Sequence, residues 1–140
     1  MMILDTNVVS ELMRPNADQR VLDWLNARYH TRYFLTAVSV GEILFGISRL
    51  PFGKRKQNLE NALIAMLDHD FVGSVLPFDS ESAGYFGELA SRRQRIGRPV
   101  GVADAQIAAI CQRHAATLVT RNTSDFDTLE IELQDPWSTT

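Results

Sequence analysis

Short apolar runs alternate along the chain with longer stretches in which apolar residues recur every three or four positions. The first run, Met2-Ile3-Leu4, ends abruptly in Asp5, Thr6 and Asn7. Similar runs follow at Tyr33-Phe34-Leu35-Thr36, Ser74-Val75-Leu76-Pro77-Phe78 and Leu118-Val119-Thr120, and Ile131-Glu132-Leu133 alternates as an edge strand does. Helices are predicted between them over residues 8–13, 18–28, 39–50, from 54 past 67, 80–95 and 100–114. Asp18 is the expected cap of the second, and Asp79 or Ser80 of the fifth. The expected inward stripes are Val40, Ile43, Leu44 and Ile47, then Leu59, Leu63, Met66 and Leu67, then Ala83, Phe86, Leu89 and Ala90. Strands that alternate with helices predict an α/β fold around a mainly parallel sheet.

Composition narrows the picture only slightly. A chain of 140 residues suits one domain, expected to span 1–140. With 45% hydrophobic and 22% charged residues it has the make-up of a soluble globular protein. The one cysteine, Cys111, has no intrachain disulfide partner, which fits a reducing compartment. No apolar stretch is long enough to cross a bilayer, and Asp5 interrupts the N-terminus too early for a signal peptide. A cytoplasmic location without a membrane partner is therefore expected. The net charge of −3 argues against coating nucleic acid through bulk positive charge. It is compatible with a nuclease, whose metal site is itself built from acids.

Candidate chemistry lies in four places. Asp5 stands at the carboxyl end of the first strand, where open α/β sheets hold their ligands, although it or its neighbours can also cap the next helix. Asp104 falls in the stripe of Val100, Ala103, Ile107, Ala108 and Cys111. A charge on a core-facing stripe is costly unless it is paired or bound to metal. The helix dipole accounts for its place along the helix but not for its face. Ser39-x-x-Glu42 has the form of a capping box, and Glu42 otherwise points from a helix start toward Asp5. Asn122 and Asp125, in the loop after Thr120, are either turn formers or further ligands. Strand ends and helix starts gather on one edge of a parallel sheet. Oxygen ligands gathered there suit Mg²⁺ or Mn²⁺.

Taken in order, Ile3-Leu4-Asp5-Thr6-Asn7, Ser39-Val40-Gly41-Glu42, Ala103-Asp104-Ala105 with Ile107-Ala108, and Thr120-Arg121-Asn122-Thr123-Ser124-Asp125-Phe126 resemble the motifs of the PIN-domain family. The resemblance runs to Asp135-Pro136-Trp137 and is nearest to the VapC-type toxins of bacterial toxin–antitoxin pairs, including the FitB-like branch. It implies a three-layer α/β/α fold and a metal-dependent endoribonuclease that leaves a 5′-phosphate and a 3′-hydroxyl. By motif position, Asp5, Glu42 and Asp104 would be the acidic ligands of a shared Mg²⁺ or Mn²⁺. Asn122 stands where some members carry aspartate, and Asp125 would share that role. Thr6, Asn7 and Ser39 would orient the acids or a water. The resemblance also implies a cognate antitoxin, a homodimer, a hetero-oligomer with the antitoxin, and contact with DNA only through the antitoxin. Apolar faces within residues 8–25 and 59–67 are expected to serve the antitoxin or a second copy.

For substrate phosphate, Arg121 is the nearest cation to the proposed ligands. Arg92 and Arg93, with Arg95 and Arg98, are either phosphate contacts or a solvated helix end, and Lys54-Arg55-Lys56 is a further basic run. Trp24 and Trp137 read as packing residues rather than base-stacking platforms. Two other readings compete. A HAD-like phosphatase needs a second aspartate two residues after the first, where this chain has Asn7. A non-catalytic binding module acting through its antitoxin complex would use the same acids only as caps.

Overall fold

The computed structural model of the chain describes residues 1–138. Five strands, β1 (Met2–Leu4), β2 (Tyr33–Thr36), β3 (Val75–Leu76), β4 (Thr117–Val119) and β5 (Leu133–Gln134), lie in the order β3-β2-β1-β4-β5. Every pairing is parallel. The helices are α1 (Thr6–Leu12), α2 (Gln19–Asn26), α3 (Ala37–Ser48), α4 (Lys54–Ala65), α5 (Ser80–Arg95), α6 (Val102–Arg113) and the single turn α7 (Thr123–Phe126). A π-helical turn, Met66–Asp70, extends α4 and closes with the Phe71 amide donating to the Met66 carbonyl.

Three layers follow from the period of the strands. Successive strand residues face opposite sides. Ile3, Phe34 and Leu118 enter one core with Leu89 and the buried face of α6. Leu4, Leu35 and Val119 enter the other with Val8, Val9, Ile43, Ile47 and Leu63. From β1 the chain first winds outward through β2 to β3, then returns to place β4 on the other side of β1. The strand order therefore reverses at β1 and β4, and open α/β sheets form a crevice at that switch point, beyond the carboxyl ends of the strands.

Several expected details shift. Of the stripe along α3, Ile43 and Ile47 are buried but Leu44 is 51% exposed. Along α5 the inward positions are Ser82, Phe86, Leu89 and Arg93, and Ala83 faces solvent. Two of those four are polar, so the apolar pattern alone misplaces the phase of the helix. The run at 74–78 pairs only over Val75–Leu76, because β3 is an edge and Pro77 has no amide to donate. The last strand falls two residues later than expected, at Leu133–Gln134, and is the other edge. Asp18 and Asp79 cap α2 and α5 as the sequence predicts. Among the described residues no helix is long and apolar enough to cross a membrane.

Candidate active site

Register brings the site together. Met2, Ile3 and Leu4 face Thr117, Leu118 and Val119 on one side, and Met2 and Ile3 face Tyr33 and Phe34 on the other. One step further along, Thr36, Asp5 and Thr120 end three adjacent strands side by side. All three are buried. The Asp5 amide donates to the Val119 carbonyl, which continues the ladder to the edge.

Asp5 also caps α1. One carboxylate oxygen accepts from the Thr6 amide at 2.8 Å. The other accepts from the Thr120 hydroxyl at 2.8 Å and from the Asn7 side-chain amide at 3.4 Å. The Asn7 side chain and the Asn122 backbone N–H both donate to Thr120 Oγ1, at 3.3 and 3.0 Å. Capping and a role at the edge are thus compatible: separate oxygens serve each. Burial pushes the Asp5 carboxyl above its ordinary range, the Thr120 and Thr6 hydrogen bonds oppose that, and the Glu42 and Asp125 charges add to it.

Glu42 reaches the same edge from α3, but not as a capping box. The cap is Thr36, whose hydroxyl accepts from the Ser39 amide at 3.0 Å. The helix begins before Ser39, so Glu42 lies in its second turn with no capping amide to serve. Its Oε1 is 2.7 Å from Thr6 Oγ1, which is also 2.8 Å from Ser39 Oγ. With one proton, Thr6 donates to Glu42 and accepts from Ser39. Thr6, Asn7 and Ser39 therefore touch the acids or each other.

Asp104 comes from the first turn of α6. No hydrogen bond or ion pair among the described residues uses its half-buried carboxyl. Its pKa is raised to about 6, first by burial and then by the charges of Asp5, Glu42 and Asp125. Asp125, on α7, is exposed and likewise holds no ion pair among the described residues. Asn122, also exposed, stands at the start of α7 without a side-chain capping bond. The structure thus brings Glu42 and Asp125 within electrostatic reach of both Asp5 and Asp104, which also feel each other, and no described lysine or arginine pairs with any of the four. Among the described residues, however, no three acidic, histidine or cysteine groups are drawn tightly enough to enclose an ion. Glu42 is held by the Thr6 hydroxyl, and Asp125 is exposed.

The donor set still fits a hard divalent cation. It offers only oxygen, it carries uncompensated negative charge, and Asp104 is a desolvated acid without a partner. A groove of about 360 Å³ leads from Thr6 and Glu42 between α1, α3 and α4 to Arg14 and Arg55 over Ile43 and Leu59. A larger cleft, about 720 Å³, opens beside the start of β2 at the opposite edge and contains a single acid, Asp70.

The arginines divide. Arg93 is buried, with its guanidinium donating to the carbonyls of Arg98, Asp125 and Asp127. It is not free to meet a phosphate, which corrects that expectation. Arg92 pairs with Glu130 at 2.8 Å and lines a cleft with Ala115 and Ala116 near the start of β4, away from the acids. Arg98 pairs with Asp127, and Arg95 donates to Ser91. The Arg121 backbone amide donates to Asn7, while its guanidinium lies 5.0 Å from the centre of the Trp137 ring. Trp137 is buried and packs, as expected; Trp24 is half-buried under Arg28. Sequence reasoning missed Thr36 and Thr120. Both end strands next to β1, and only the register across the sheet marks them.

The sequence profile described as PIN domain matches residues 2–131. The chain belongs to the PIN-domain family. Among similar proteins, this PIN domain is 35% identical over 137 residues to the VapC ribonuclease Y4jK of Sinorhizobium fredii, covering 98% of each chain. It is 34% identical over 137 residues to Toxin FitB of Neisseria gonorrhoeae, covering 98% of this chain and 99% of that protein. A solved structure of FitAB bound to an IR36 DNA fragment superposes with a TM-score of 0.90 at 33% identity, covering 100% of this PIN domain and 98% of that chain.

Proposed function

We propose that this PIN domain is a ribonuclease toxin of a toxin–antitoxin pair that hydrolyses RNA phosphodiester bonds with Mg²⁺ or Mn²⁺. The observation that carries the reading is the uncompensated group of Asp5, Glu42, Asp104 and Asp125 at the switch point of the sheet. Asp5, Asp104 and Glu42, with Asn122 or Asp125, would hold the ion, which when bound lowers the pKa of a water and offsets phosphate charge. The chain's own groups do the positioning. Thr120 and the Thr6 amide fix the two oxygens of Asp5. The Thr6 hydroxyl fixes Glu42, Ser39 fixes Thr6, and Thr36 fixes Ser39 in turn. The unpaired Asp104 carboxyl is left to the site.

The similarity to a VapC ribonuclease and to FitB supports the ribonuclease and toxin reading. The similarity to FitAB bound to a DNA fragment supports a protein antitoxin as partner, with DNA reached through that complex; a homodimer as the toxin's own assembly rests on the family resemblance alone. The test is cleavage of total cellular RNA by the purified chain with Mn²⁺, Mg²⁺ or EDTA, followed by mapping of the ends. Cleavage with either ion, its loss in EDTA and 5′-phosphate ends are expected. No metal-dependent cleavage of any RNA, with antitoxin binding intact, would favour the non-catalytic binding module instead.

A further inference from the structure

Arg93 occupies an inward position of α5 and is 5% exposed. Its Nε donates to the Arg98 carbonyl at 2.7 Å, and its Nη1 donates to the carbonyls of Asp125 and Asp127, both at 3.2 Å. No carboxylate partners it among the described ion pairs. A buried cation balanced only by neutral carbonyls is expensive. The fork of the guanidinium can span the turn after α5 and the loop that carries α7 at the same time. That loop needs holding. Thr128 and Glu130, just beyond it, have φ of 65° and 57°, a left-handed conformation that is costly for a β-branched residue such as Thr128. The Gln112 side chain secures the same segment by donating to the Leu129 carbonyl at 2.6 Å.

We propose that Arg93 is a positioning residue: from inside the fold it holds the 122–127 loop so that Asp125 is presented to Asp5 and Asp104. The inference rests on the metal-dependent reading above. Arg93 touches neither ion nor RNA. It acts through the carbonyls of Asp125 and Asp127, which flank the buried Phe126.

The test is Mn²⁺ affinity of the full chain, read from the free-ion electron paramagnetic resonance signal, with amide exchange measured over residues 122–127. Arg93→Gln is expected to weaken Mn²⁺ binding about tenfold or more, the scale seen when a group that orients a metal ligand is lost. In an Asp125→Asn background the same change should cost little further. Arg93→Lys keeps the charge without the fork, and should give a smaller loss with faster exchange in the loop; it carries the same cycle if Arg93→Gln does not fold. Unchanged affinity in a folded Arg93 variant, or equal losses with and without Asp125, would overturn the proposal. Asp5-dependent Mn²⁺ uptake that ignores Arg93 defeats this inference alone. No Mn²⁺ uptake by the wild-type chain defeats the metal reading and this inference together.

Discussion

The carboxyl edge of the sheet and the end of α5 treat charge in opposite ways. At the end of α5, Arg92 meets Glu130, Arg98 meets Asp127, and Arg93 is buried on three carbonyls. At the sheet edge, Asp5 and Asp104 lie within reach of each other and of Glu42 and Asp125, without a described cation paired to any of them. The first arrangement satisfies charge within the chain and locks backbone in place. The second leaves charge to be satisfied from outside, at a cost in stability that a folded protein tolerates where it binds or reacts.

The largest effect should come from the most enclosed of those acids. Asp5→Asn keeps the oxygen that caps α1 but puts an NH₂ group where Asp5 accepts from Thr120 and Asn7, so stability should fall by about 1–2 kcal/mol. It removes the charge at the centre of the site, and metal-assisted charge stabilisation is worth several kcal/mol. RNA cleavage by this variant should fall on the order of a thousandfold, with the variant still folded and its melting temperature only modestly lower. Cleavage within a few-fold of wild type would mean that the unpaired charge at this edge is not what the chemistry uses.

Thr120→Val comes next. It keeps the shape of the side chain and deletes the hydroxyl that donates to Asp5 and accepts from Asn122 and Asn7. Removing a group that orients a metal ligand costs about 10–100-fold in metal affinity. Mn²⁺ titration should show a loss in that range. Because the Thr120 hydrogen bond lowers the Asp5 pKa, its removal should also move the acid limb of the cleavage profile to higher pH.

How much of this was legible in the sequence depends on whether neighbours along the chain or neighbours in space decide. Asp5 and Asp104 could be placed because a strand end and a helix start are local features. Glu42 carries a local mark too, but the capping box it suggests does not form, because the helix begins at Ala37. Thr120 required the register between β1 and β4, and a threonine closing a strand carries no local mark of function. Arg93 was hidden in a run of arginines that resembles any solvated helix end. Its inward phase is shared with Ser82, and an apolar-stripe reading passes over both polar residues.

Asp104 permits a test in the metal-free protein. Its folded-state pKa of about 6 lies above the ordinary 3.8. Between those values the folded state holds more protons than the unfolded, so this group makes stability fall as pH rises from about 4 to about 6. Solvent screening at a half-buried carboxyl reduces the effect to about 1 kcal/mol. Asp104→Asn should flatten that part of the curve and raise the melting temperature above pH 6, while cleavage is lost. Added Mn²⁺ should stabilise the wild type above that pH far more than the variant. A wild-type curve that rises through this window with the same slope in the variant would remove the contrast between the two regions.

The smallest effect is expected from Arg98→Ala, and it sharpens what separates the arginines. Arg98 pairs with Asp127 at 2.9 Å, yet both side chains are about half exposed. Exposed pairs of this kind contribute about 0.2–1 kcal/mol. The alanine variant keeps the backbone carbonyl at position 98 that Arg93 uses, so the tie from α5 to the 122–127 loop survives. Its melting temperature should drop slightly, with Mn²⁺ affinity and cleavage within about twofold of wild type. If Arg98→Ala instead weakened Mn²⁺ binding as strongly as Arg93→Gln, the loop would be held by the surface pair, and the buried guanidinium would lose its special place.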